Sequence, residues 1–181
     1  MKLSKFDRER LMVEALFQRL GRTVSCTDPH AGGVPETGVD VVAQADGQSV
    51  GLQVTEADFG DTPGQDRGEE ARNTRGQDVA FAWTPDRAHT LSGFKRAIDG
   101  KVVKGFDQRA HSETWLLVSC DARGWGSALS THPMMFAIDA NDLNGLSGSQ
   151  LLATKFDRAF FHAMSGGELY EWSRTSGWQP R

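Results

Sequence analysis

The sequence predicts an α/β domain in which a mixed central β-sheet is flanked by helices. Three stretches carry this prediction. Apolar residues recur at helical spacing over residues 5–20, apolar and polar residues alternate over 39–55 around an Asp46-Gly47 turn, and residues 114–120 form a continuous apolar run. A run of strand length without alternation indicates a strand that is buried on both faces.

The first helix is predicted over residues 5–20, with Ser4 as its N-cap and Gly21 just beyond its end. A short strand over 22–26 and a loop over 28–35 should follow it, because residues 28–35 are rich in glycine and proline.

Residues 57–78 are polar and rich in helix and strand breakers, which predicts a long loop that could cover a site. A second helix is then predicted from four apolar residues at helical spacing: Leu91, Phe94, Ile98 and Val102. Gly100 lowers the helix propensity of this segment and could break the helix. After the buried strand we expect a short helix near 140–143. A C-terminal hairpin should be formed by 158–164 and 168–172.

The central hairpin places functional groups on one side. Asp46-Gly47 is a two-residue turn that accepts positive φ, so Ala45 should pair with Gln48 and fix the register. Asp40 then lies opposite Gln53, pointing away from the apolar face of the hairpin. A carboxylate and a carboxamide placed across from each other indicate half of a metal site.

Composition bounds the class of protein. The chain has 181 residues, of which 38% are hydrophobic and 24% charged, as in a globular protein with one domain over residues 1–181. The chain contains no apolar stretch of membrane-spanning length and its N-terminus turns polar at once, so we expect a cytoplasmic protein without a membrane partner.

The net charge of −4 argues against a protein that coats nucleic acid by bulk electrostatics. Five basic residues nevertheless fall within 95–109, against two acidic ones: Lys95, Arg96, Lys101, Lys104 and Arg109. A surface that faces phosphate is expected there, and a solvated helix face is the alternative.

Other chemistries lack support. The five histidines show no metal-ligand spacing, and the two cysteines form no disulfide framework. The sequence contains neither a Gly-x-Ser-x-Gly elbow nor a phosphate-binding glycine loop followed by Lys-Ser or Lys-Thr.

The order helix, strand, hairpin with Asp40 and Gln53, helix with lysines, and buried strand resembles the core of the PD-(D/E)XK nuclease superfamily over residues 5–121. The resemblance implies a restriction-endonuclease-like core of α-β-β-β-α-β order that uses Mg²⁺ or Mn²⁺ to hydrolyse phosphodiester bonds in DNA or RNA. It also implies that Asp40 and Gln53 bind the metal. Members of this superfamily often contribute a glutamate from the first helix, and the resemblance matches it to Glu14, with Glu9 as second choice.

The departure from the family pattern is at Thr55, which occupies the position of the strand lysine. The resemblance implies that Lys101 or Lys104 on the neighbouring helix supplies the missing cation. Gln53 is a neutral ligand, so the metal should bind weakly without substrate. A homodimer is one implied option, since such nucleases often dimerise.

Two alternatives stay open. One is an inactive relative that binds nucleic acid or a protein partner. The other is an unrelated α/β protein whose hairpin only imitates the motif.

Overall fold

The computed structural model describes residues 3–31, 38–57, 87–104, 110–120, 138–163 and 168–181; for Cys120 and for residues 87–90 it describes the backbone alone. The predicted polar loop at 57–78, apart from Ala57, and the turn at 165–167 lie outside these residues. The described residues form one mixed seven-stranded sheet with helices, which confirms the α/β class.

The strands lie in the sheet in the order in which they occur along the chain. In the described residues, β3, β4 and β5 run parallel, and every other neighbouring pair is antiparallel. Their bounds are β1 Ser25–Thr27, β2 Val41–Ala45, β3 Gln48–Glu56, β4 Glu113–Cys120, β5 Arg158–Ala163, β6 Glu168–Ser173 and β7 Gly177–Pro180.

The helices are α1 Lys5–Arg19, α2 Arg87–Val102, α3 Ala140–Leu143 and α4 Ser149–Leu152, with a π-helical turn at Asn144–Gly148 between the last two. The Ser4 side chain caps α1 by accepting a hydrogen bond from the Asp7 N–H, and Gly21 follows the helix with a φ of 71°. Gly100 does not end α2. Gly100 is exposed, so its cost to stability is the lower helix propensity of glycine, about 1 kcal/mol relative to alanine.

The predicted register of the central hairpin is confirmed. Val41 pairs with Leu52, and Ala45 pairs with Gln48 across the turn. Asp46 and Gly47 both have positive φ, 51° and 76°, which matches the right-handed twist of the two strands. The start of β2 therefore lies beside the middle of β3.

Apolar layers cover both faces of the sheet. On one face, α1 packs Leu16 and Phe17 against residues such as Leu52 and Trp115. On the other face, Phe94 of α2 and its neighbours cover Leu116 and the strands beyond it. Full burial of each large apolar side chain contributes about 1.5–3 kcal/mol, so both layers hold the sheet firmly. The middle of β3 is consequently enclosed from both sides.

Candidate functional site

Asp40 immediately precedes β2 and is hydrogen-bonded to Leu52 and Val54 of β3. Its backbone N–H donates to the Leu52 carbonyl at 2.8 Å, and its Oδ2 accepts the Val54 N–H at 2.9 Å. The paired strands thus fix both the main chain and the carboxylate. Its side chain is only 12% exposed.

Two lysines from different helices meet this carboxylate. Lys101, in the last turn of α2, places its Nζ 2.5 Å from Asp40 Oδ2. Lys5, at the start of α1, places its Nζ 3.2 Å from Asp40 Oδ1 and 3.4 Å from Glu9 Oε1. Together with Gln53, these side chains form what we call the Asp40 cluster: Lys5, Glu9, Asp40, Gln53 and Lys101.

The charges of the cluster shift one another's pKa values. Burial raises the pKa of Asp40, but the hydrogen bond and charge of Lys101, the Val54 N–H and the charge of Lys5 outweigh it and hold that pKa below its usual range. Burial lowers the pKa of Lys101 in spite of Asp40, and the charge of Lys104 acts in the same direction. The ion pair is therefore partly desolvated.

Glu9 shows the opposite behaviour. Burial and the negative charge of Asp40 raise the pKa of Glu9, and the positive charges of Lys5 and Lys101 oppose this only in part. A cation bound beside Asp40 and Glu9 would relieve the effect of the Asp40 charge on Glu9, which makes the pair a candidate metal site.

Gln53 is fully buried in the sheet. Its Nε2 donates to the Gly38 carbonyl at 2.8 Å, and its Oε1 is buried without a hydrogen-bond partner among the described residues. The expectation that this residue points away from the apolar interior is wrong in one respect: its strand face lies under the layer of α2. The carboxamide reaches the segment that carries Asp40 from within the core.

The structure brings Glu9, and not Glu14, to Asp40. Glu14 pairs with Arg10 at 2.9 Å and lies near Cys26, whose pKa burial raises to about 11 with help from the Glu14 charge. Glu9 and Glu14 are separated by about 140° around a helix of 3.6 residues per turn, so one helix cannot turn both residues toward Asp40.

Lys104 and Thr55 lie further out. Lys104 follows α2 and is exposed, and its charge acts on Lys101 without a described contact to Asp40. Thr55 is half-buried on β3, opposite Val118 of β4. Of the two helix lysines proposed from the sequence, Lys101 is the one that reaches Asp40.

Lys5 was missed from the sequence. Its signal was its spacing to Glu9, because residues four apart on a helix are neighbours, but that spacing also occurs on ordinary solvated helix faces. Only the fold shows that the start of α1 lies over Asp40.

The donor set fits a hard divalent cation. Among the described residues, no three His, Cys, Asp or Glu side chains lie close enough to hold a metal by themselves. Mg²⁺ requires only one or two carboxylates and completes its shell with neutral oxygens and water. Glu9, Asp40 and the unpartnered Oε1 of Gln53 supply this kind of set.

Comparisons with family models, curated proteins and solved structures found no match. No helix within the described part of the chain has both the length and the apolar character needed to cross a membrane.

Proposed function

We propose that the protein is a metal-dependent nuclease that hydrolyses phosphodiester bonds in DNA or RNA at the Asp40 cluster. The observation that carries the proposal is the 2.5 Å contact between Lys101 and Asp40. This contact brings a buried ammonium group to the Asp40 carboxylate. In the nuclease pattern a strand lysine would supply that charge, but Thr55 occupies its position here. A cation at this place is what phosphodiester hydrolysis requires, because negative charge builds up in its transition state.

The element order supports a restriction-endonuclease-like core. After α1, the strands β1, β2 and β3 pair in antiparallel order, and β4, which follows α2 in the chain, pairs with β3 in parallel. This is the α-β-β-β-α-β order that the resemblance implies. In this arrangement Lys101, in the last turn of α2, reaches Asp40, which supports the proposal.

Asp40, Glu9 and Gln53 would hold Mg²⁺ or Mn²⁺. A bound ion lowers the pKa of a coordinated water and withdraws charge from the scissile phosphate. The buried Oε1 of Gln53 supports the assignment, since a carbonyl oxygen without a hydrogen bond costs free energy unless it gains a partner.

Lys101 would hold a proton beside the reacting phosphate. Its ammonium is buried and fixed by Asp40, so it needs little reorganisation to stabilise developing charge. Lys5 is largely exposed and would draw phosphate towards the cluster. Thr55, on the same face of β3 as Gln53, would hydrogen-bond water without bringing charge.

A binding protein without catalysis is the second candidate. Its support is that both Asp40 oxygens already face lysines, which balance the two carboxylates of the cluster without a metal. In this case the fold would bind nucleic acid or a protein partner. A cytoplasmic location and a homodimer are proposals that accompany either function.

Cleavage of labelled single- and double-stranded DNA and RNA in Mn²⁺ tests the proposal. We expect Asp40→Ala to lose at least about 100-fold in turnover. The matched control is Asp99→Ala, which removes a carboxylate from α2 that pairs with Lys95. It should retain activity.

Equal cleavage by Asp40→Ala and the parent protein would contradict the assignment. Lys101→Met should lower kcat more than substrate affinity, because the lysine acts on transition-state charge. Loss of affinity alone would favour the binding protein.

A further inference from the structure

A second concave site lies on the α1 face of the sheet. Two adjoining cavities of about 300 and 600 Å³ share Arg158, Glu171 and Arg181 in their walls. Arg158, at the start of β5, pairs with Trp115 of β4, which pairs with Leu52 of β3. The Asp40 N–H bonds the carbonyl of that same Leu52. The two sites therefore lie at similar heights along the strands and are separated across the sheet.

The arginines between the cavities are held in place. Arg158 donates from Nη1 to Glu171 at 2.7 Å, and its guanidinium lies 5.8 Å from the centre of the Trp115 ring. Arg181 donates from Nε to the other oxygen of Glu171. Within the described part of the chain, this leaves both terminal nitrogens of Arg181 available as donors. Guanidinium groups fixed in this way lose little freedom when they bind an anion.

Two further arginines line the smaller cavity. Arg22 is fixed by Asp46 at 2.6 Å and by ring contacts with Phe17 and Trp115. Arg19 is exposed at the end of α1. We call the smaller cavity the arginine cavity, defined by Arg19, Arg22, Arg158 and Arg181. Among its described lining residues, the four guanidinium groups face one carboxylate, Glu171. Asp46 and Glu113 pair with Arg22 and Arg158 from outside this lining, so the arginine cavity keeps net positive charge.

We propose that the arginine cavity binds a phosphate group, either of a nucleic-acid strand or as free inorganic phosphate. The planar donor forks of arginine match phosphate oxygens. Trp115 is only 2% exposed, so it orients arginines and does not stack on a base. The site would recognise the backbone and not the sequence. For a nucleic-acid strand, the inference rests on the proposed function and gives the substrate a second point of attachment.

Fluorescence anisotropy in EDTA tests the proposal without cleavage. The probe is a labelled single-stranded DNA or RNA of about twelve nucleotides, titrated at several salt concentrations. We expect Arg181→Gln to weaken binding roughly ten-fold, as for the removal of one hydrogen bond to a charged group. The slope of log affinity against log salt should fall by about 0.7 for each phosphate that the variant no longer neutralises. Adding Arg19→Gln should weaken binding further.

The matched control is Arg10→Gln, which removes an exposed arginine of α1 that pairs with Glu14. It should bind like the parent protein. Because Arg19 and Arg181 are exposed, the melting temperature should fall by only about 2 °C. Inorganic phosphate that displaces the probe from the parent but not from Arg181→Gln would identify an isolated phosphate as sufficient.

Binding by Arg19→Gln/Arg181→Gln equal to that of Arg10→Gln would overturn the proposal. Failure of cleavage by every protein, with binding in EDTA still weakened in Arg19→Gln/Arg181→Gln, would overturn the nuclease and leave the arginine cavity standing.

Discussion

The ion pair between Asp40 and Lys101 should be strongly coupled in stability. The two side chains are 12% and 10% exposed, so each charge is largely removed from water and depends on its partner. Removal of one member of a buried pair costs about 3–5 kcal/mol when the other charge is left alone. Lys5 and the Val54 N–H still contact residue 40 in this cluster, which lowers the expected cost.

We therefore expect Asp40→Asn and Lys101→Met each to lower the free energy of unfolding by about 2 kcal/mol. The double variant leaves no unpaired charge and should lie within about 1 kcal/mol of the parent, which gives a coupling energy of about 3 kcal/mol. The corresponding fall in melting temperature is about 4–8 °C for each single variant, given about 2–4 °C per kcal/mol in a chain of this size.

Urea unfolding monitored by tryptophan fluorescence at pH 7 measures the free energy of unfolding of the parent, the two single variants and the double variant. Additive effects of the two substitutions would refute the reasoning, since they would mean that the carboxylate and the ammonium act independently. The double variant should regain stability but not cleavage. That combination would show that the pair is retained for function.

Two further predictions concern the carboxylates of the cluster. The pKa of Asp40 is lowered in the folded state, so its contribution to stability is present above the unfolded value of about 3.9 and is lost as the pH falls through the folded pKa. Urea unfolding at decreasing pH should therefore show the difference between the parent and Asp40→Asn shrinking in acid, and a constant difference would contradict the shift. Glu9→Gln should weaken Mn²⁺ binding about ten-fold in calorimetry, whereas Glu14→Gln should not, because Glu14 pairs with Arg10 away from Asp40. An equal loss of Mn²⁺ affinity in Glu9→Gln and Glu14→Gln would argue against the Glu9 assignment. The Mn²⁺ affinity of the parent should also decrease as the pH is lowered through the raised pKa of Glu9, since a ligand must be deprotonated.

The local elements were predictable because short-range rules govern them. The turn at Asp46-Gly47 sets the hairpin register, and the spacing of apolar residues from Phe6 to Leu20 marks α1. β7 was not predicted. Its four residues, Gly177–Pro180, are too few for a periodic signal, and they join the sheet by pairing with β6.

The site was predictable only in part, because it depends on how distant elements pack. The alternation in β3 placed Gln53 on the face away from α1, but it could not show that α2 covers that face. Glu9 and Glu14 are both acidic residues of one helix, and only the packing of α1, which brings Lys5 and Glu9 to Asp40, selects Glu9. Lys101 and Lys104 were both proposed from the sequence. Because α2 ends at Val102, Lys101 lies in its last turn and reaches Asp40, whereas Lys104 follows the helix.

Anomalous diffraction from crystals soaked in Mn²⁺ with a phosphorothioate oligonucleotide tests the central claim most directly. We expect a Mn²⁺ peak at about 2.1 Å from an Asp40 carboxylate oxygen, with Gln53 Oε1 and Glu9 among its neighbours. An oligonucleotide bound in the crystal with Lys101 still on Asp40, and no Mn²⁺ peak beside them, would contradict it.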